Sequence, residues 1–142
     1  MDKLIETLKI HEGVRNHVYK CSMGYETIGV GRNISDSGIG LSEEEIDYLL
    51  LNDIKRIIEE LDSAFDWFTS LDKVRQEAMI NLCFNLGLTR LRGFVNALEA
   101  MSQANYKQAS LEFLDSRWAR QVGHRAKEVA YMIETGDYYG NA

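Results

Sequence analysis

A long amphipathic helix near the middle of the chain constrains the fold most strongly. Ser42, followed three positions later by Glu45, forms a capping box, which is a common signature of a helix start. Apolar residues then recur at helical spacing, namely Ile46, Leu49, Leu50, Ile54, Ile57, Ile58 and Leu61. The pattern predicts a helix over residues 43–61, roughly five turns at about 3.6 residues each.

The sequence that follows also reads as helical. The run from Val74 to Leu86 is apolar on most sides, which predicts a helix buried at the centre of this part of the chain and ended by Gly87. Three more amphipathic segments are predicted, at about Phe94–Met101, Tyr106–Leu114 and His124–Ile133. Cys83 lies within the apolar run, and we expect it to be part of the core. Phe65, Trp67 and Phe68 form an aromatic patch that we expect to be packed.

The first thirty residues read differently. Leu4, Ile5 and Leu8 share one face of a short helix that Gly13 can end. Val18 and Tyr19 precede a turn-like segment at 21–24, and the β-type run 25–30 follows it, which predicts a β-hairpin. Residues 33–40 are polar and contain glycine, so we predict a loop there. The fold class is therefore α+β and predominantly helical.

Length and composition narrow the class of protein. A chain of 142 residues with 45% hydrophobic residues can bury a core as one ordinary domain. The net charge of −6 argues against nucleic acid as a partner. The charged N-terminus is unlike a cleavable signal, and there is no long apolar run, so we expect synthesis in the cytoplasm without stable membrane insertion. Cys21 and Cys83 are expected to be reduced in that compartment.

One acid, one thiol and one hydroxyl lie close together in the N-terminal stretch. Glu12 falls in the last turn of the first predicted helix, where the negative end of the helix dipole disfavours ionisation. A carboxyl group that keeps its proton is a candidate general acid. On this pattern we expect Cys21 at the turn and Thr27 on the returning strand to face Glu12.

The spacing of these three residues is that of a known catalytic motif. It reads glutamate, eight residues, aspartate or cysteine, five residues, threonine, and it is set in E-G-x-R and T-I-G-x-G. This stretch resembles that of the phage-type lysozymes and endolysins, glycoside hydrolase family 24. Four later segments resemble the family's C-terminal landmarks in the same order, namely residues 80–87, Gly93-Phe94, Ser116-Arg117-Trp118 and Arg125-Ala126-Lys127.

The resemblance implies an architecture. It is a single lysozyme-like domain with a small N-terminal hairpin lobe at about 1–42, a connecting helix at about 43–61 and a helical C-terminal lobe at about 62–142. The implied substrate is bacterial peptidoglycan, held in the groove between the lobes. The implied activity is hydrolysis of the β-1,4 bond between N-acetylmuramic acid and N-acetylglucosamine, with inversion and without a cofactor. A monomer is expected, delivered to the cell wall by a holin or a phage tail.

The resemblance also implies roles for individual residues. Glu12 would be the general acid, Thr27 would hold the attacking water, and Arg125 would pair with Glu12. Cys21 stands at a position that is often a carboxylate; it could act as base, as nucleophile or as a bystander. The implied substrate contacts are Phe84, Asn33, Asn85, Ala97 and Glu112.

Other functions remain open at this point. The chain could be a non-catalytic module that binds the wall or belongs to a phage particle, a lytic transglycosylase, or an enzyme regulated by oxidation of Cys21. A zinc site at His11, His17 and Cys21 is disfavoured, since their spacing matches no compact metal motif.

Overall fold

The computed structural model describes residues 1–140 and divides into two compact units. The first unit is Met1–Leu49, and the second begins at Leu50. The boundary lies within the long helix α2, Glu43–Ala64. Within residues 1–140, no helix is both long enough and apolar enough to cross a membrane.

The first unit combines one helix with a small antiparallel sheet. Helix α1 is Asp2–Glu12, and strands β1, β2 and β3 are Arg15–Lys20, Glu26–Gly29 and Arg32–Asn33, paired in that order. The predicted hairpin is confirmed as β1 and β2. The third strand was missed, and the prediction of loop for Asn33 is wrong because Asn33 pairs with Thr27. A two-residue strand is too short for its alternation to be recognised in a sequence.

Helix α2, Glu43–Ala64, starts where the capping box predicts and runs one turn further than Leu61. The backbone N–H of Glu45 donates to Ser42 Oγ at 3.1 Å, and the backbone N–H of Ser42 donates to Glu45 Oε1 at 2.9 Å. Arg32 on β3 donates to the same carboxylate oxygen at 2.9 Å and to the Gly40 carbonyl at 3.0 Å. The Glu45 carboxylate therefore ties the sheet to the start of α2.

Replacing Glu45 with glutamine should reduce thermal stability in a pH-dependent way. The Arg32 guanidinium and the Ser42 N–H lower the pKa of Glu45 from its ordinary value near 4.5 to about 2. This stabilisation is fully present above pH 4.5 and is lost as the pH falls through about 2. We therefore expect the Tm of Glu45→Gln to lie below that of the wild type at pH 7 and to converge with it near pH 2.

Glu44→Gln provides the matched control for that series. Glu44 shares the first turn of α2, but no salt bridge to its carboxylate is found within residues 1–140. An equal loss of Tm in both variants would attribute the effect to the helix dipole rather than to the bonds with Arg32 and Ser42.

The second unit is entirely helical within its described part. After α2 come a 3-10 helix Phe68–Ser70, then α3 Lys73–Leu86, α4 Leu88–Arg92, α5 Val95–Ser102, α6 Tyr106–Leu114, α7 Arg117–Val122 and α8 His124–Thr135. The four helices predicted after the aromatic patch correspond to α3, α5, α6 and α8. The 3-10 helix, α4 and α7 were missed because segments of three to six residues are too short to show a helical period.

Helix α3 contributes four buried residues to the core of the second unit. Ala78, Met79, Leu82 and Cys83 of α3 are all buried. They pack in one cluster with side chains from the other helices, including Leu61, Phe113 and Ile133, each 0% exposed. The predicted packing of the aromatic patch is also found: Phe68 is buried, and the rings of Phe65 and Trp67 stack at 5.0 Å. Cys83 is a free, buried cysteine, as expected for a core position.

Candidate active site

Glu12 is the last residue of α1, and its carboxylate lies against the turn between β2 and β3. The helix ends there because Gly13, at φ 78°, leaves the helical conformation while its N–H still donates to the Lys9 carbonyl. Gly31, in the β2–β3 turn, has φ 68° and is close to Glu12. A methyl carbon on Gly31 would lie 2.8 Å from Glu12 Oε2, which is too close for two non-bonded atoms. Any residue other than glycine at this position would therefore displace the Glu12 carboxylate.

Replacing Gly31 with alanine should therefore impair the site directly. The added methyl group would push the Glu12 carboxylate away, and misplacement of a catalytic group by ~1 Å can cost up to about 100-fold in rate. Because the neighbour is the end of a flexible side chain, we expect a smaller loss of about tenfold in kcat. The measurement is the initial rate of lysis of permeabilised cells, at equal concentrations of folded protein.

Gly29→Ala is the matched control for Gly31→Ala. Gly29 has nearly the same φ, 69°, but a methyl group there would meet no atom within 4 Å. Both variants carry the same backbone strain of roughly 1–2 kcal/mol. Equal rates in the two variants would mean that the contact with Glu12 has no influence on activity.

Cys21 lies at the start of the turn that joins β1 to β2. Its N–H donates to the Tyr25 carbonyl at 3.0 Å, and its carbonyl accepts from the N–H of Gly24 at 2.8 Å. Hydrogen bonds from the backbone N–H of Met23 and then of Tyr25, helped by the Thr27 hydroxyl, lower the pKa of the thiol below 9.0; partial burial opposes them only in part. The turn therefore favours a thiolate at Cys21.

Thr27 is the one buried polar residue found in the first unit, at 3% exposure. Its Oγ1 donates to the Tyr25 carbonyl at 2.8 Å, and the same hydroxyl contributes to the lowered pKa of the Cys21 thiol. A hydroxyl has one proton and two acceptor lone pairs. While the proton is directed to Tyr25, the oxygen can accept a hydrogen bond from a water; the proton stabilises a Cys21 thiolate only when it turns to the sulfur. The structure thus brings together the thiol and hydroxyl that the motif predicts.

Asn33 lies directly across from Thr27 in the sheet, but its side chain is already engaged. Its Oδ1 accepts from the backbone N–H of Ser35 at 3.0 Å and from Ser35 Oγ at 2.6 Å. Gly38 packs so closely on Asn33 that a side chain there would overlap it. Asn33 therefore organises the 34–40 loop, and its role as a substrate contact stays a prediction.

The other predicted substrate contacts belong to the second unit. Phe84 is 48% exposed at the end of α3. Asn85 Oδ1 accepts from the indole N–H of Trp118 at 2.6 Å. Ala97 and Glu112 line one cavity of about 430 Å³, although Ala97 is itself 1% exposed and offers only a methyl surface. Glu112 accepts from the Gln108 amide at 2.9 Å.

Arg125 is held on α8 by a single partner on α3. Its Nε and one terminal nitrogen donate to Asn81 Oδ1 at 3.0 and 2.9 Å. It shares a cavity of about 410 Å³ with Phe84 and Tyr138. This geometry fixes the direction of the guanidinium, and the predicted pairing of Arg125 with Glu12 stays a prediction.

Sequence reasoning missed two features that support the site. One is the role of Gly31 as the space for the Glu12 carboxylate. The signal was present in the G-V-G pattern, because a glycine in a tight strand turn often permits a close approach. The other is the bond from Arg32 to Glu45, which the sequence does not reveal because the two residues are thirteen positions apart.

Comparisons with known proteins identify the family of the chain. Residues 9–131 match the phage lysozyme family. The chain is 27% identical to Probable T4-type lysozyme 1 of Dictyostelium discoideum, over 92% of this chain and 93% of that protein. It is 27% identical to the Endolysin of Acyrthosiphon pisum secondary endosymbiont phage 1, over 87% and 84% of the two chains.

A third relative is larger than this chain. The chain is 28% identical to the Pre-baseplate central spike protein Gp5 of Enterobacteria phage T4, over 94% of its own length but 28% of that protein. Since the family match covers most of the sequence, with an α+β and mostly helical fold, the chain belongs to the phage lysozyme family and is a glycoside hydrolase of the lysozyme class.

Proposed function

We propose that the protein is a muramidase that hydrolyses the β-1,4 bond between N-acetylmuramic acid and N-acetylglucosamine in bacterial peptidoglycan. The observation that carries this proposal is the β1–β2 hairpin, which holds Cys21 at its turn and the buried Thr27 on its return strand, in the same unit as Glu12. Membership of the phage lysozyme family supports it. The proposal assigns a distinct task to each of the three side chains.

Glu12 acts as the general acid. Its proton passes to the glycosidic oxygen as the bond from the anomeric carbon to that oxygen breaks, so the leaving sugar departs as a neutral alcohol. Positive charge develops on the sugar that remains. Because Glu12 Oε2 packs closely against Gly31, the orientation of the carboxyl group towards the substrate is restricted.

Cys21 and Thr27 act on the opposite face of that sugar. A water donates one proton towards the Cys21 thiolate while the Thr27 hydroxyl orients it, and the water oxygen forms the new bond to the anomeric carbon. Glu12 ends as a carboxylate and Cys21 as a thiol, and solvent exchange restores both. One displacement by water inverts the anomeric configuration without a covalent intermediate.

Product analysis tests this function directly. Purified, reduced protein is incubated with isolated peptidoglycan, and the fragments are examined by mass spectrometry. Hydrolysis adds one water to each broken bond, whereas a lytic transglycosylase leaves anhydro-muramic ends of the same mass as the uncleaved unit. Undigested glycan after long incubation would contradict both enzymatic functions and favour a non-catalytic wall-binding module.

The similarity to the central spike protein of phage T4 supports a second candidate function. In this alternative the protein is a lysozyme that acts as part of a phage particle. That relative is a pre-baseplate central spike protein, and this chain matches only a 28% share of it. Co-purification of the chain with particles would support delivery by a tail. Lysis that depends on a holin would support delivery from the cytoplasm instead.

A further inference from the structure

The last helix of the second unit carries an aromatic cluster on its outer face. His124 and Tyr131 of α8 are seven positions apart, about two turns, so they share one side of the helix. Tyr139 folds back against both: its ring centroid lies 5.4 Å from that of His124 and 5.5 Å from that of Tyr131. We call these three side chains the α8 platform. The buried residues of the helix lie on the opposite side, namely Ala126, Val129, Ala130 and Ile133.

The end of α8 explains how Tyr139 reaches this face. Gly136, at φ 74°, adopts the left-handed conformation that ends the helix, and its N–H donates to the Met132 carbonyl. Beyond this turn the Tyr138 hydroxyl donates to the Glu77 carboxylate of α3, while the next side chain, Tyr139, packs on the platform. The two neighbouring tyrosines therefore have different tasks, because Tyr138 fastens the segment to the core and Tyr139 completes the surface cluster.

The ring faces of the platform are open in part to solvent. Both ring contacts are of the edge-to-face type, with interplanar angles of 82° and 89°. An edge-to-face contact covers a face of only one of its two rings, so the platform covers at most two of its own six ring faces. Tyr131 and Tyr139 are 38% and 45% exposed, and the His124 side chain is 66% exposed. The platform therefore presents aromatic faces outward instead of closing on itself.

Polar groups stand at the border of the platform. His124 Nε2 lies 3.2 Å from Glu128 Oε1, and Glu128, on the same side of α8, has a side chain that is 46% exposed. A carboxylate offers about four acceptor sites, so most of them stay available to hydroxyl and amide donors, and each tyrosine hydroxyl can donate and accept. A β-linked pyranose ring matches this arrangement, because its axial C–H bonds form an apolar face and its hydroxyl groups project from its edge.

The size of the platform favours a glycan over a protein partner. A tyrosine offers roughly 150–250 Å² of surface, so exposed fractions of 38% and 45% leave on the order of 170 Å² on the two tyrosines together. A standard protein interface takes about 800 Å² from each partner. Positions 124 and 131 are about 10 Å apart along the helix, which suits a short stretch of sugar chain.

We propose that the α8 platform is an accessory glycan-binding site, which holds a part of the β-1,4-linked sugar chain other than the bond that is cleaved. This inference rests on the proposed function, because the polymer that the enzyme cleaves is also the ligand of the platform. No platform residue is among the candidate catalytic residues or the predicted substrate contacts. A polymer that is held at two places binds more tightly, since the second contact forms at a high effective concentration.

Binding is measured site by site with a soluble sugar. The probe is the β-1,4-linked tetramer of N-acetylglucosamine, titrated into Glu12→Gln protein so that the sugar stays intact, and followed by NMR of ring-labelled tyrosines. The chain has seven tyrosines, and Tyr48, which is 66% exposed in the first unit, serves as the internal reference. We expect saturable shifts at Tyr131 and Tyr139 and none at Tyr48. No shift at either platform tyrosine, or an equal shift at Tyr48, would overturn the inference.

Substitutions assign the binding to the rings. Tyr131→Ala and Tyr139→Ala, read at the remaining platform tyrosine, should each weaken binding about three- to tenfold, the range for loss of one aromatic contact. Tyr131→Phe keeps the ring and should stay within about twofold of the parent protein. Alanine is favourable within a helix, so Tyr131→Ala should keep its fold, which a Tm measurement checks. Tyr48→Ala is the matched control, and an equal loss there, or unchanged affinity in both platform variants, would contradict the inference.

Assays on insoluble peptidoglycan show which proposal has failed if one does. The double variant Tyr131→Ala with Tyr139→Ala should raise KM on this polymer about three- to tenfold without lowering kcat. Cleavage by a protein whose platform tyrosines show no sugar-induced shift would refute the accessory site and leave the muramidase proposal intact. Selective shifts at the platform without any bond cleavage by the wild type would refute the muramidase proposal and leave glycan binding in place.

Sedimentation equilibrium tests the competing occupant, a second copy of the chain. We expect the wild type and Tyr139→Ala to sediment with the same mass. A wild-type dimer that Tyr139→Ala converts to a monomer would make the platform a contact between two copies, and the glycan-binding inference would be wrong.

Discussion

Replacing Glu12 with glutamine is expected to lower the rate of peptidoglycan cleavage by roughly 10²–10⁴-fold, the range usual for loss of a general acid. Glutamine keeps nearly the same shape, so it still fits against Gly31, but it has no proton to give to the leaving oxygen. Glu12 is exposed at the negative end of α1 and forms no salt bridge within residues 1–140, so the variant should keep its fold. The measurements are lysis rates and Tm.

Glu6→Gln is the control for that experiment. Glu6 is also an exposed glutamate on α1, and it should be replaced without loss of activity. Binding to intact peptidoglycan should survive in both variants, because the proposed loss lies in bond cleavage. If Glu12→Gln lysed cells at the wild-type rate, the general acid would have to be another residue and the proposed mechanism would be wrong.

The sequence predicts the elements that position Glu12 because their signals are local. A glycine ends α1 directly after Glu12, and the capping box at Ser42 and Glu45 starts α2. The hairpin is likewise marked by alternation and by a turn at residues 21–24. Each of these signals lies within a few residues of what it determines, so no knowledge of tertiary packing is needed.

The features that were missed depend on contacts between distant residues. Strand β3 forms because Arg32 and Asn33 pair with β2, and two residues contain no periodicity to detect. The bond from Arg32 to Glu45 joins residues thirteen positions apart, and helices α4 and α7 are themselves too short to predict. The distance between such residues in the folded protein is set by tertiary packing. The local patterns of a single sequence do not reveal that packing.

The pKa of the Cys21 thiol also depends on structure that the sequence does not reveal. Its ordinary thiol pKa suggests little thiolate at neutral pH, and the adjacent Lys20 does not by itself show that this pKa is changed. The structure supplies the missing effect through uncharged groups, namely the N–H groups of Met23 and Tyr25 and the hydroxyl of Thr27. Their directions depend on the turn geometry, so the lowered pKa could not be predicted from residue types.

The pH dependence of activity should therefore separate the wild type from variants at Cys21. The wild type needs a Cys21 thiolate in addition to the Glu12 proton that both proteins require, so the ratio of its rate to that of Cys21→Asp should rise with pH and level off above an apparent pKa below 9.0. Cys21→Asp is ionised throughout the neutral range, so its profile should lack that rise. Cys21→Ser has no acidic hydroxyl in this range, and we expect its rate to fall about 100-fold at pH 8, within the span usual for loss of a base.

Alkylation gives an independent measure of the same thiolate. Iodoacetamide should react with Cys21 and abolish activity, with a rate that rises over the same pH range as catalysis. Cys83 is the internal comparison, since burial raises the pKa of its thiol and the side chain is only 2% exposed. If Cys21→Ser and the alkylated protein both kept the wild-type rate, Thr27 would have to hold the water alone and Cys21 would be a bystander at the turn. A rise in rate that persists in Cys21→Asp would instead assign the titration to a different group.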